Sequence, residues 1–127
     1  MDKHLDARGK GEFTYDYAND MLLFKVKDRD YGKSVDFDNI VVDFDKEGYI
    51  TGLRVIDASK CFDLTKMALK GLQEFEFNSR VEDKVISIQL KFTLCERNKP
   101  KVVQRQDFIR EAVDAEINDS ESSCTVA

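Results

Sequence analysis

The densest run of potential chemistry is Asp43-Phe44-Asp45-Lys46-Glu47-Gly48-Tyr49-Ile50. Acidic oxygens at the first, third and fifth positions, glycine at the sixth and an apolar residue at the eighth are what a calcium-binding EF-hand loop uses. The twelfth position of such a loop holds a bidentate Glu, and here it holds Arg54, a cation. The flanking IVV and LRVI segments are strand-forming rather than helical. A hairpin turn explains the same residues: Asp and Glu oxygens accept from backbone N–H groups, and Gly48 takes the left-handed φ of a bulged turn. The reading is a turn without a tight cation site.

Asp16 with Asp20, and Asp36 with Asp38, are the other candidate carboxylate pairs. General acid–base work needs two carboxylates in a cleft whose surroundings push their pKa values apart. All four sit beside turn signals, where Asp orders the backbone. His4 is the single histidine, so no triad or two-His metal site can form within one chain. Cys61 lies near a predicted helix start, where a thiolate can be favoured, but a buried apolar role fits it better. Cys95 and Cys124 share no C-x-x-C spacing with it, and no phosphate-loop, dinucleotide or nucleophile-elbow motif occurs. No catalytic, cofactor-binding or metal residues are assigned, and the chain is not expected to be an enzyme.

Charge adds one more candidate surface. The net charge of −5 divides unevenly: residues 1–58 carry −4, residues 59–105 carry +4 and residues 106–127 carry −5. Lys91, Arg97, Lys99, Lys101 and Arg105 form a basic stretch interrupted by Glu96. Such charges usually guard a sheet edge; an acidic partner is the alternative. The acidic total disfavours nucleic acid as a general partner. The N-terminus lacks an apolar signal segment and no run reaches membrane-span length. Three widely spaced cysteines fit a reducing compartment, so a cytoplasmic location is expected.

The elements that must position these residues follow from periodicity. Residues 1–11 read as a mobile arm. Phe13, Tyr15 and Tyr17 alternate with polar residues, a turn follows at Ala18-Asn19-Asp20, and Leu22, Phe24 and Val26 alternate in turn. Further strands are predicted near Val35, at Ile40–Phe44, from Tyr49 to Asp57, around Phe75–Phe77 and over 85–94, with another at Val102-Val103 after Pro100. Ser59 and Asp63 are candidate N-caps of one short helix over about 63–71, ended by Gly71. Ile109, Val113 and Ile117 have helical spacing, predicting a marginal helix over 107–117, and 118–127 is polar and small enough to read as disordered.

The segment from Tyr15 to Ser59 carries YD-x-x-x-D-x-L (Tyr15, Asp16, Asp20, Leu22), VVDFD (Val41–Asp45) and G-x-I-x-G-L-x-V-x-D-A-S (Gly48 to Ser59). This set resembles domain-of-unknown-function family 2283, whose members are short archaeal and bacterial proteins. The resemblance implies a small β-rich fold with a following helix and supplies no catalytic residues. Some members resemble antitoxins of small toxin genes, which implies a protein-binding role.

The expected fold class is α+β: a curved antiparallel sheet of five to seven strands built from hairpins, with the 63–71 helix on one face. Residues 12–105 would form one domain and 106–127 an acidic tail. Its core should hold Phe13, Tyr15, Leu22, Phe24, Val42, Phe44, Leu53, Val55, Leu64, Met67, Ile86, Ile88 and Leu90. The expected function is a non-catalytic protein-interaction or regulatory module with an unknown protein partner. The alternative is a small-ligand or nucleic-acid binder working through residues 91–105.

Overall fold

A computed structural model describes residues 3–94 and 102–126. Strong period-two alternation gives ten strands: β1 His4–Arg8, β2 Gly11–Asp16, β3 Met21–Val26, β4 Tyr31–Asp36, β5 Ile40–Asp45, β6 Ile50–Ile56, β7 Leu72–Glu82, β8 Val85–Leu94, β9 Val102–Glu111 and β10 Ser120–Val126. They form two five-stranded sheets. The first runs β2-β3-β6-β5-β4, with every pair antiparallel. The second runs β1-β10-β7-β8-β9 and is antiparallel except for the β1–β10 pair. Two five-residue helices, α1 Ala58–Phe62 and α2 Lys66–Lys70, join the sheets. The fold is mostly β rather than α+β, because strands on both sides of the helices find partners in separate sheets.

The two sheets meet through aromatic rings. Phe24 of β3 stacks on Phe75 and Phe77 of β7 at centroid distances of 5.1 and 4.7 Å, and Phe13 stacks on Phe75 at 5.4 Å. Such pairs add to the large apolar area that each ring buries. Of the expected core, Leu22, Phe24, Val42, Phe44, Leu53, Val55, Ile86, Ile88 and Leu90 are buried, and Phe13, Tyr15 and Leu64 pack partly against them. Met67 is 65% exposed instead. The expected helix over 63–71 is only the five-residue α2, and a separate piece, α1, precedes it. Asp63, in the left-handed conformation, ends α1 rather than capping α2. Thr65 caps α2, accepting from the Ala68 N–H at 3.1 Å, and Gly71 closes it as expected.

Three expectations for the chain ends are corrected. Within the supposed arm of residues 1–11, His4–Arg8 is β1, and Gly11 begins β2. The 107–117 helix is absent: β9 runs through Glu111, paired residue for residue with β8. Phe108 turns inward and is buried, whereas Ile109 and Val113, two members of the supposed helical stripe, are exposed. The free edge of β8 offers ten residues of ladder, and that outweighs a weak helical pattern. The supposedly disordered 118–127 contains β10, which lies between β1 and β7. Its small residues Ser120, Ser122 and Cys124 face inward because the sheets approach closely there. A Cβ at Gly11 would collide with Cys124 Sγ.

Removing β10 leaves β1 without any partner and uncovers one flank of β7. Truncation after Asp119 is therefore expected to abolish cooperative urea unfolding, followed by circular dichroism. A truncated chain that keeps the full-length midpoint would show that β10 is dispensable.

Candidate functional site

Three groups of polar side chains stand out, and the first gathers the residues of the Tyr15–Ser59 motif. Asp20 sits in the β2–β3 turn with φ 51°, a left-handed conformation that Asp tolerates. Its carboxylate accepts from the Tyr15 hydroxyl at 2.6 Å, the Ser59 hydroxyl at 2.5 Å and the Ser59 N–H at 3.0 Å. Its backbone carbonyl accepts from the Ala58 N–H at 2.9 Å. Free N–H groups at the start of α1 are thus satisfied from a distant turn, and Ser59, expected to be a cap, lies inside the helix and donates. Burial alone would raise the Asp20 carboxyl, but the hydrogen bonds from Ser59 and Tyr15 outweigh it and hold the group below its ordinary value. Burial, with the carboxylate alongside, pushes the Tyr15 phenol upward. Every polar atom in this knot faces another, which suits a structural tie between the hairpin and the helix.

Asp16 is not brought together with Asp20 as a pair. It orders its own turn, accepting from the Asn19 N–H at 3.1 Å and side-chain amide at 2.8 Å. Asp36 likewise accepts from the Asp38 N–H at 2.8 Å.

The second group is the acidic turn, which links β5 to β6 with Gly48 at φ 91°. Asp45 Oδ1 accepts from the N–H groups of Glu47 and Tyr49, both at 2.9 Å, and Oδ2 accepts from Arg29 Nε at 2.8 Å. Arg29 also pairs with Glu47. Arg54, at the position where a calcium loop needs its last carboxylate, instead binds Asp43 Oδ1 at 2.8 Å. The carboxylates that looked like cation ligands are engaged by the protein's own cations and amides. The Arg29 partner, sixteen residues upstream, left no local signal in the sequence.

The third group covers the solvent face of the second sheet. Register places Asp6, Ser123, Asn78, Gln89 and Asp107 side by side across all five strands. The adjoining row runs His4, Glu121, Arg80, Ser87 and Ile109. One flank of this face is held by the Arg80–Glu121 ion pair, Nη2 to carboxylate 2.8 Å, and His4 Nδ1 lies 3.4 Å from the same carboxylate. The bond from Arg80 holds Glu121 below its usual range. Over β7, β8 and β9 lies an open depression of about 380 Å³, lined in part by Asn78, Ser87, Gln89, Asp107 and Ile109 and bordered by the Arg80–Glu121 pair itself. These residues were not singled out in the sequence. The alternation of Ser87 and Gln89 with Ile86, Ile88 and Leu90 was the available signal on β8, and the pairing of β7 with β8 sets Asn78 beside Gln89 on the same face. That this face stays uncovered is a tertiary fact.

Among the remaining candidates, Cys124 is buried and Cys61 half-buried, and burial pushes both thiols upward. That favours the apolar role for Cys61 over a helix-start thiolate. Cys95, Arg97, Lys99, Pro100 and Lys101 lie outside the described residues; Lys91 and Arg105 stand directly opposite one another on β8 and β9. No cluster of three or more metal-ligating side chains occurs among the described residues. None of the described helices is long and apolar enough to cross a membrane.

Comparison with known proteins places the motif segment in context. The model of a family described as "Protein of unknown function (DUF2283)" matches residues 12–59. An uncharacterised protein of Methanocaldococcus jannaschii is 35% identical over 91 residues, covering 71% of this chain and 78% of that one. The chain belongs to the DUF2283 family. A second relative, from Methanosarcina mazei and provisionally named a hypoxanthine phosphoribosyltransferase, is 31% identical over 88 residues, 69% of this chain and 72% of that one. No solved structure matches the chain. The DUF2283 match begins within β2 and ends inside α1, so it spans all of the first sheet but Gly11, and the Asp20 knot.

Two outcomes follow. Asp20→Asn should destabilise the fold by about 1–3 kcal/mol, the cost of spoiling buried hydrogen bonds. Because the folded pKa of Asp20 lies below its ordinary value of 3.8, its contribution is complete above that value and fades as pH falls through the lowered one. Urea midpoints of wild type and variant should therefore converge in acid, and a constant gap would refute the assignment. Titration with calcium below millimolar should leave the amide resonances of residues 43–48 unmoved; localised saturable shifts would overturn the turn reading.

Proposed function

We propose that this DUF2283 protein is a non-catalytic interaction module that engages a protein partner through the solvent face of the second sheet. The observation that carries this reading is the depression beside β8. The side chains of Asn78, Ser87, Gln89 and Asp107 converge there without hydrogen bonds to other described residues, bordered by Ile109, which is 67% exposed. Unspent donors and acceptors next to an exposed aliphatic side chain are the mixture found at protein interfaces. A small protein partner is also what antitoxin-like family members would imply. Reduced thiols at Cys61 and Cys124 fit a cytoplasmic setting.

The provisional name of the Methanosarcina relative offers a different reading, phosphoribosyl transfer. Such chemistry favours a phosphate cradle at a glycine-rich loop or the N-terminus of a substantial helix. Here the first helix N-terminus is already capped by Asp20, and both described helices have five residues. The size of the depression leaves a small polar ligand as the alternative occupant.

The immobilised chain should retain a partner from a lysate of its native host. Ser87→Arg with Gln89→Arg should weaken binding of that isolated partner at least tenfold while leaving thermal unfolding of the module unchanged. Undiminished binding by the folded variant would remove this face as the interface. Turnover of hypoxanthine with a phosphoribosyl donor would replace the reading with an enzymatic one.

A further inference from the structure

The sheets expose four edges: β1, β2, β4 and β9. β1 has five residues, β2 has six, and β4 has six with a register shift between Tyr31 and Lys33. β9 differs from all three. It is ten residues long, contains neither glycine nor proline, and pairs with β8 without interruption. Among the described residues its other flank has no strand partner. Long, regular edges are templates for another strand unless something disrupts them.

The order of side chains on β9 specifies which strand that is. On the solvent face, Arg105 and Asp107 lie one residue to either side of Gln106, and Val103 and Ile109 lie three residues to either side. Val103 is 55% exposed and Ile109 67%. If a second β9 runs antiparallel about a two-fold axis at Gln106, Arg105 of each copy falls opposite Asp107 of the other. Val103 then falls opposite Ile109, and Gln106 meets its own counterpart. An axis normal to the sheet keeps the solvent face on one side in both copies, as period-two geometry requires. Moving the register by two residues sets Arg105 against Arg105 in one direction and Asp107 against Asp107 in the other. One register alone among these matches both charge and apolarity.

A separate observation within one chain points the same way. Lys91 and Arg105 are direct cross-strand neighbours, and like charges in that position repel. Glu76 of β7 stands opposite Lys91 on its other side, whereas Arg105, on the edge strand, has no such acidic cross-strand neighbour among the described residues. Asp107 of a second copy, opposite Arg105, supplies the counter-charge. We propose that β9 is a homodimerisation edge, pairing antiparallel with β9 of a second copy about Gln106 to make a continuous ten-stranded sheet. This goes beyond the partner-binding reading: edge pairing engages Asp107 and Ile109 at the rim of the depression but leaves Asn78, Ser87 and Gln89 uncovered, and joins two such faces into one symmetric surface.

Sedimentation equilibrium of the full chain should give twice the chain mass at high concentration. Arg105→Asp and Asp107→Arg should each weaken the dimer at least tenfold, while the double exchange, which restores opposite charges across the axis, should recover it. Circular dichroism identifies any variant that fails to fold. Independently of those charges, Gln106→Cys should give a covalent dimer under mild oxidation well above the background of the unsubstituted chain. A wild-type monomer at every concentration, single exchanges that leave association unchanged, or no excess cross-linking at position 106 would overturn the proposal. Partner capture is read separately through the Ser87 and Gln89 variant, so either idea can fail alone.

Discussion

The stack of Phe24 against Phe75 and Phe77 is the contact on which the two sheets depend, because it ties the third strand of the chain to the seventh. An antiparallel sheet with one apolar face must bury that face against something, and here each sheet is the other's cover. The stack fixes which faces are inside. It thereby fixes which side chains of β7, β8 and β9 are left to solvent.

A close approach of this kind constrains the residues around it. Where β2 and β10 cross, Gly11 has no side chain, and the β10 side chains facing it are Cys124 and Val126. The hydroxyls of Ser79 and Ser122, on neighbouring strands, are buried without a hydrogen-bond partner among the described residues. Burying a polar group without a partner costs stability, and the aromatic and aliphatic burial around them must offset it.

Polar chemistry is divided in a revealing way. In the motif segment, Asp20, Asp45 and Asp43 are engaged by protein donors: a tyrosine and a serine, backbone amides, and two arginines. These carboxylates hold turns and a helix start in place. Across the second sheet the pattern reverses beside β8, where amides and a hydroxyl face solvent. Structure-forming polar groups lie in the family segment, and the polar face left to solvent beside β8 lies in the rest of the chain.

Much of this was legible in the sequence. Alternation located most of the strands from Glu12 to Leu94, missing only the start of β4 at Tyr31–Ser34, which reads as a polar loop. It named nine of the buried core side chains, and read Asp43–Gly48 as a turn because Arg54 stood where a ligand should. Local pattern suffices there because one face of each strand must be apolar and each turn needs its Asp or Gly. It failed at the ends. Ser120–Val126 has no apolar run, and its place between β1 and β7 follows from a gap that only small side chains fill. Ile109 and Val113 had helical spacing, yet the open edge of β8 drew residues 102–111 into a strand. Nor could spacing reveal that Arg29 reaches Asp45 or that Asp20 caps a helix nearly forty residues away. Sequence determined the local periodicity and the turns; tertiary structure decided the partners, because a strand's hydrogen-bonding edges are satisfied by whichever segment the packed sheets bring alongside.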